Sequence, residues 1–159
     1  GLDPRSNGFY LNGKQIALHS GALHYFRVPQ AYWRDRLRKF RAAGLNAVET
    51  YVPWNLHEPG RNEYDFGNGN NDFSEFLDIV KFMKIAQEED LFVIVRPGPY
   101  ICAELDFGGL PSWLLNEEGL KVRTSEPKFI KRVTNYFNAL LPLFTDLQFT
   151  NGGSIIAFQ

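Results

Sequence analysis

The feature that most constrains this chain is a repeated order of apolar patterns. Four runs of strand length alternate with three longer segments whose apolar residues recur at helical spacing. Residues 91–95, LFVIV, are the clearest run: five apolar residues without a polar break, as in a strand buried on both faces. LNAVETYV, 45–52, is ended by Pro53, and SIIAF, 154–158, is entered through the turn Asn151-Gly152-Gly153. Residues 15–26, QIALHSGALHYF, read as one largely buried strand. A short strand in GFYLNG, 8–13, precedes it and closes on the hairpin signal Asn12-Gly13.

The helical segments separate these runs. Over 31–43, Trp33, Leu37, Phe40 and Ala43 share a face, with Arg34, Arg38 and Arg41 on the solvated side and Gly44 placed as a C-terminal stop. After the polar, turn-rich loop 59–71, Asp72 and Glu75 suit a capping box. Phe73, Phe76, Leu77, Val80, Met83 and Ala86 follow on one face. Ser125-Glu126-Pro127 reads as the start of a third helix, lined by Phe129, Val133, Tyr136, Phe137, Leu140 and Leu141 and ended near Pro142.

A hairpin followed by β-α-β-α-β-α-β predicts a parallel α/β sheet in a single domain, 1–159. An open doubly wound sheet would carry a Gly-rich phosphate turn after its first strand. That link here is HYFRVPQ. The loops after the strands are long and rich in Trp, Tyr, His and Glu, which suits a (β/α)8 barrel with its site on those loops. A barrel needs about 250 residues, so the expectation is an N-terminal hairpin strand and about the first four βα units.

Composition excludes some functions. With 17 basic and 18 acidic residues the net charge is −1, and nothing calls for nucleic acid. No apolar run is long enough for a membrane span. One cysteine rules out an intrachain disulfide. No phosphate cradle or metal-ligand spacing implies a cofactor or metal. His24 and His57 lack partners at ligand spacing and read as structural.

The chemistry collects after the strands, at His24–Arg27, Tyr51–Pro59 and Arg96–Glu104. Rings and carboxylates around one mouth suit a polyhydroxylated ligand. Glu49 shares a strand face with Tyr51 and reads as structural, with Arg27 or Arg96 as its cation. Glu58 reads as a brace for its loop, and Cys102 as a packed thiol. Glu104 differs. The stretch 96–114, RPGPYICAELDFGGLPSWL, holds three prolines and three glycines, and rigidity of that kind suits a carboxylate presented to a ligand.

The segments SGALHYFRVP, YWRDRLRKFRAAGLNAVETYVPWNLHEP, RPGPYICAELDFGGLPSWLL and GGSIIAFQ resemble the N-terminal part of family 35 glycoside hydrolases, the retaining β-galactosidases. The resemblance runs from about residue 8 to 159 and implies a (β/α)8 barrel that removes terminal β-linked galactose from glycans, glycolipids or oligosaccharides. It implies that Tyr51, Cys102, Ala103 and Glu104 bind the sugar, and that the protein is lysosomal or secreted. Retaining glycosidases use two carboxylates about 5–5.5 Å apart. The family's acid/base belongs to a Q-V-E-N-E-Y-G motif whose first residue matches Gln159, so both catalytic Glu residues are expected beyond this point, in the remainder of the enzyme or a complementary chain. Leu105 stands where many members have Trp, and Ser154 where Pro is usual. The alternative is a non-catalytic galactoside-binding or interaction protein, and Val-Glu-Asn-Glu after Gln159 would decide against it.

Overall fold

The computed structural model describes residues 1–159. A three-stranded antiparallel sheet opens the chain: β1 (Leu2–Arg5), β2 (Gly8–Leu11) and β3 (Lys14–Ile16), in that order. Leu11 faces Lys14 across the Asn12-Gly13 turn, whose two residues both take positive φ, the geometry this dipeptide favours. β1 carries no strand signal. Its LDPR owes its conformation to pairing with β2.

The run 15–26 is not one buried strand. It divides between two sheets, ending β3 at Ile16 and resuming as β4 (Ser20–Ala22), and Tyr25–Arg27 form a 3₁₀ turn. Its apolar residues point in different directions because the chain changes sheet around His19, so a high apolar count concealed two half-exposed edge strands.

The second sheet is wholly parallel and in chain order: β4, β5 (Ala47–Tyr51), β6 (Phe92–Arg96) and β7 (Ile155–Phe158). Helical crossovers join its neighbours, as parallel pairing requires. They contain α1 (Trp33–Ala42), the short α2 (Trp54–His57), α3 (Ile79–Glu88) and α4 (Pro127–Leu140). Alternation decides the faces. Val48, Val93, Val95 and Ile155 point to the helices and join one buried cluster with Trp33, Leu37, Phe82, Met83, Phe129, Tyr136 and Leu140. LFVIV is therefore buried on its helical face, while Phe92 and Ile94, on the other, are only partly covered.

Helix α1 ends at Gly44, with φ of 91°. Its arginines are not merely solvated. Arg34 and Arg38 bind Glu89, and Arg41 binds Asp90 at 2.7 Å, at the C-terminal end of α3. Exposed pairs of this kind orient two helices more than they stabilise them. Helix α3 does not start from a box at Asp72. Ser74–Leu77 form a 3₁₀ turn and Asp78 is the cap, its Oδ1 accepting from the Lys81 N–H at 2.9 Å. The loop uses the upstream groups itself: the Ser74 hydroxyl donates to Asp65 and Asn71 Oδ1 accepts from the Phe73 N–H. Helix α4 starts as its sequence indicates. Glu126 accepts from the N–H groups of Lys128 and Phe129, Pro127 occupies the first turn, and Pro142 lies in the 3₁₀ segment beyond its end.

Candidate functional site

The face of the parallel sheet away from the helices presents residues in layers. Strand register places Ser20, Ala47 and Phe92 in the lowest. Ala22, Glu49, Ile94 and Ala157 form the next, and Tyr51 and Arg96 meet at the C-terminal end. Two further segments converge on that last layer. The His24 imidazole stacks on Tyr51, with ring centroids 4.5 Å apart, and on Phe26 at 5.5 Å. The Arg96 guanidinium lies over the same Tyr51 ring, 4.3 Å from its centroid, a cation–π contact.

The turn Cys102-Ala103-Glu104 closes the wall. All three residues take left-handed φ, at 64°, 57° and 48°. None is a glycine, and side chains there crowd the following carbonyl at a cost of roughly 1–2 kcal/mol each. Surrounding contacts hold the strain. Arg27 donates to the Ala103 carbonyl, the Leu105 N–H to that of Cys102 at 3.2 Å, and the Ile101 N–H to that of Gly108 at 2.9 Å. At Gly108, φ is 63°, and a Cβ would lie 1.9 Å from the Tyr100 ring, so only glycine lets the loop fold down there. Ala103 is buried and Glu104 is exposed. The Glu104 carboxylate is near enough to His24 to act on its charge.

Burial first, and then Arg27, hold the His24 pKa below its ordinary value; Arg96 adds to this, and Glu104 opposes it. The imidazole is therefore neutral near neutral pH. Burial raises the Glu49 pKa, with Arg96 opposing. The expected ion pair at Glu49 does not form: Arg27 is turned to Ala103 and Arg96 to Tyr51, and Glu49 Oε1 is buried without a partner. Cys102 is exposed rather than packed, because the left-handed turn directs its side chain away from the core.

The other singled-out residues lie outside this wall. His57 is fully buried and structural. Its Nδ1 lies 2.7 Å from the Asp65 carbonyl, which can only accept, so Nδ1 carries the proton and Nε2 accepts from the Tyr25 hydroxyl at 2.5 Å. Glu58 braces its loop as expected. Its carboxylate accepts from Trp54 Nε1 at 2.5 Å and the Asn62 N–H at 2.8 Å, and its carbonyl from Trp113 Nε1 at 2.9 Å. Sequence reasoning did not place His24 and Arg96 against Tyr51. Strand parity could have: Arg96 is two residues beyond Ile94 and directly opposite Tyr51 in the register.

The wall holds an exposed carboxylate and a rigid backbone turn at the C-terminal ends of parallel strands, beside a stack in which His24 and Arg96 cover the Tyr51 ring and Arg27 is bound to the Ala103 carbonyl. A carboxylate can accept from hydroxyls, and strand ends of this kind are where barrel enzymes carry their sites. Solved structures match the fold. Over 90% of this chain and 33% of theirs, the likeness to the GH5_18 protein of Streptomyces cattleya in complex with GlcNAc has a TM-score of 0.62 at 15% identity. An exo-beta-1,4-mannosidase from Opitutaceae bacterium strain TAV5 matches 90% of this chain with 25% of its own, at a TM-score of 0.65 and 16% identity. At these identities the likeness shows the fold alone, one consistent with part of a (β/α)8 barrel.

The sequence comparisons narrow it. The family described as "Glycosyl hydrolases family 35" matches residues 8–159, and the chain belongs to that family. Human Beta-galactosidase-1-like protein 2 is 49% identical over the whole of this chain and 24% of its own length. Beta-galactosidase of Felis catus is 47% identical over 99% of this chain and 23% of its own. The chain therefore spans about a quarter of the length of these curated relatives. No helix is long and apolar enough to cross a membrane.

Proposed function

We propose that residues 1–159 are the first half of the catalytic (β/α)8 barrel of a retaining β-galactosidase, which removes terminal non-reducing β-D-galactose from glycans, glycolipids or oligosaccharides. In this reading Tyr51, Cys102, Ala103 and Glu104 form the galactose wall. Glu104 accepts from sugar hydroxyls, the Cys102–Ala103 backbone fixes their register, and Tyr51 closes the side of the subsite. The acid/base and nucleophile are supplied by the barrel's other half, and the enzyme acts in a lysosomal or extracellular compartment.

One observation carries the reading. Three successive non-glycine residues are held in left-handed backbone, with the middle one bound by Arg27, three residues beyond the His24 that stacks on Tyr51. Strain maintained by its surroundings at a mouth is preorganisation, which spares a ligand the entropy of ordering the loop.

The test is Glu104→Gln in the full-length protein. It removes the charge and keeps the shape. Galactose should inhibit more weakly by roughly 1–3 kcal/mol, the scale of one hydrogen bond to a charged group. An unchanged inhibition constant would remove Glu104 from the site.

A further inference from the structure

The Tyr51 ring is held on both faces. β4 and β6 flank β5 in the sheet, and each sends one group across the strand end. His24, two residues beyond β4, stacks on the ring at 4.5 Å with 20° between the planes. The Arg96 guanidinium, at the end of β6, stands 4.3 Å from the same centroid. The two come from opposite sides, so a sugar cannot lie on this ring. What Tyr51 offers a ligand is its outer edge and its hydroxyl, which both donates and accepts. Where that hydroxyl stands depends on the plane in which the ring is held.

His24 sets this plane through three contacts. Its ring covers one face of Tyr51. Its Nδ1 accepts from the Tyr51 N–H at 3.5 Å, a long bond to the backbone of the residue on which it stacks. Its other stacking partner is Phe26, at 5.5 Å and within 8° of parallel. Beyond Phe26 the row continues. The Arg27 guanidinium lies 5.2 Å from the Phe26 centroid and donates to the Ala103 carbonyl. One row of contacts thus runs from Arg96 through Tyr51, His24 and Phe26 to Arg27, and so to the left-handed turn that carries Glu104.

His24 is the uncharged member in the middle of the row. Burial first, and then Arg27 and Arg96, favour its neutral form, against Glu104. A neutral ring lets a guanidinium stand at each end without a third cation between them.

We propose that His24 is a positioning residue for the sugar: it fixes the Tyr51 hydroxyl relative to the turn that bears Glu104, so that both groups meet one ligand without reorganisation. The inference rests on the galactosidase reading and deepens it. It assigns binding strength at the wall to a residue that acts through Tyr51.

The test uses full-length protein, with nitrophenyl β-D-galactoside as substrate and galactose as inhibitor. His24→Leu keeps the bulk and removes the flat face. His24→Phe keeps the flat face and removes the ring nitrogens. In the Leu variant, KM and the galactose inhibition constant should both rise about tenfold, the scale of one misplaced hydrogen bond. Its kcat should hold within about twofold, because what is lost is binding made equally in the ground and transition states. The Phe variant should return both constants to within about threefold of wild type, since stacking needs only the ring. A role in packing alone would lower the unfolding midpoint and leave KM of the folded enzyme unmoved. His24→Gln, which keeps hydrogen-bonding atoms without a ring, is the second variant should the Leu variant fail to fold, and it should behave as Leu does. Constants unmoved in a folded Leu or Gln variant, or a Phe variant no better than these, overturn the proposal. An active wild type with unmoved variants fails the proposal alone. A wild type that neither cleaves the galactoside nor binds galactose fails the galactosidase reading, and the proposal with it.

Discussion

At the residue scale, His57 links fold to pH. Burial lowers its pKa to about 4 from an ordinary 6.5. Between those values the unfolded chain binds a proton that the folded protein does not, so the unfolded state gains as pH falls. The stabilisation is complete above about 6.5 and lost progressively down to about 4, amounting to about 3 kcal/mol. Denaturant titrations of the full-length protein across this window should show the slope, and His57→Gln should flatten it. An equal slope in the variant would place the acid sensitivity elsewhere. Tyr25→Phe leaves His57 Nε2 buried without its donor and should cost about 1–3 kcal/mol at neutral pH, read as a lower unfolding midpoint. His57 was legible as structural because no ligand-spaced partner accompanies it. Glu49 was not legible in the same way. Whether a buried carboxylate meets an arginine depends on where two long side chains turn, and both turned to the mouth.

At the scale of elements, the helix starts separate what sequence states from what loops decide. Glu126-Pro127 begins α4 as written, because the proline fixes φ and the carboxylate has the first N–H groups to itself. Asp72 was a reasonable cap and lost to Asp78, because Asp65 and Asn71 draw the upstream chain into a loop of its own. Asp78→Ala should therefore destabilise the protein by about 0.5–2 kcal/mol, while Asp72→Ala should leave the denaturation midpoint nearly unchanged. The reverse result would restore the earlier helix start. The strands show the same division. β5, β6 and β7 were legible because each is short, mostly apolar and bounded by a turn or proline, as at Gly44, Pro53, Pro97 and Gly152-Gly153. The run 15–26 was misread because pattern reports burial and not the sheet in which a residue is buried. The wall was legible in part: the stiffness of 96–114 marked Glu104, but left-handed geometry at Cys102 has no signal in residue type.

At the scale of the whole molecule, the parallel sheet is covered on one face. Phe92, Ile94 and Glu49 on the other face have no facing layer, and β4 and β7 each have a neighbour on one side only. Unpaired edges and a bare inner face favour association. A polypeptide restricted to these 159 residues should therefore not behave as a stable monomer. Sedimentation should show self-association, and hydrogen exchange should show weak protection in β4 and β7. A monodisperse monomer with both strands protected would mean the inner face needs no partner. The central claim is that the strained turn and Tyr51 form one wall for galactose, completed by the remainder of the enzyme. A crystal structure of the full-length protein with galactose tests it most directly. The account predicts the sugar at the C-terminal ends of β5 and β6, with the Glu104 carboxylate about 2.6–3.0 Å from a hydroxyl and the Tyr51 ring beside it. Galactose bound elsewhere, or a Glu104 side chain turned toward the helices, would contradict it.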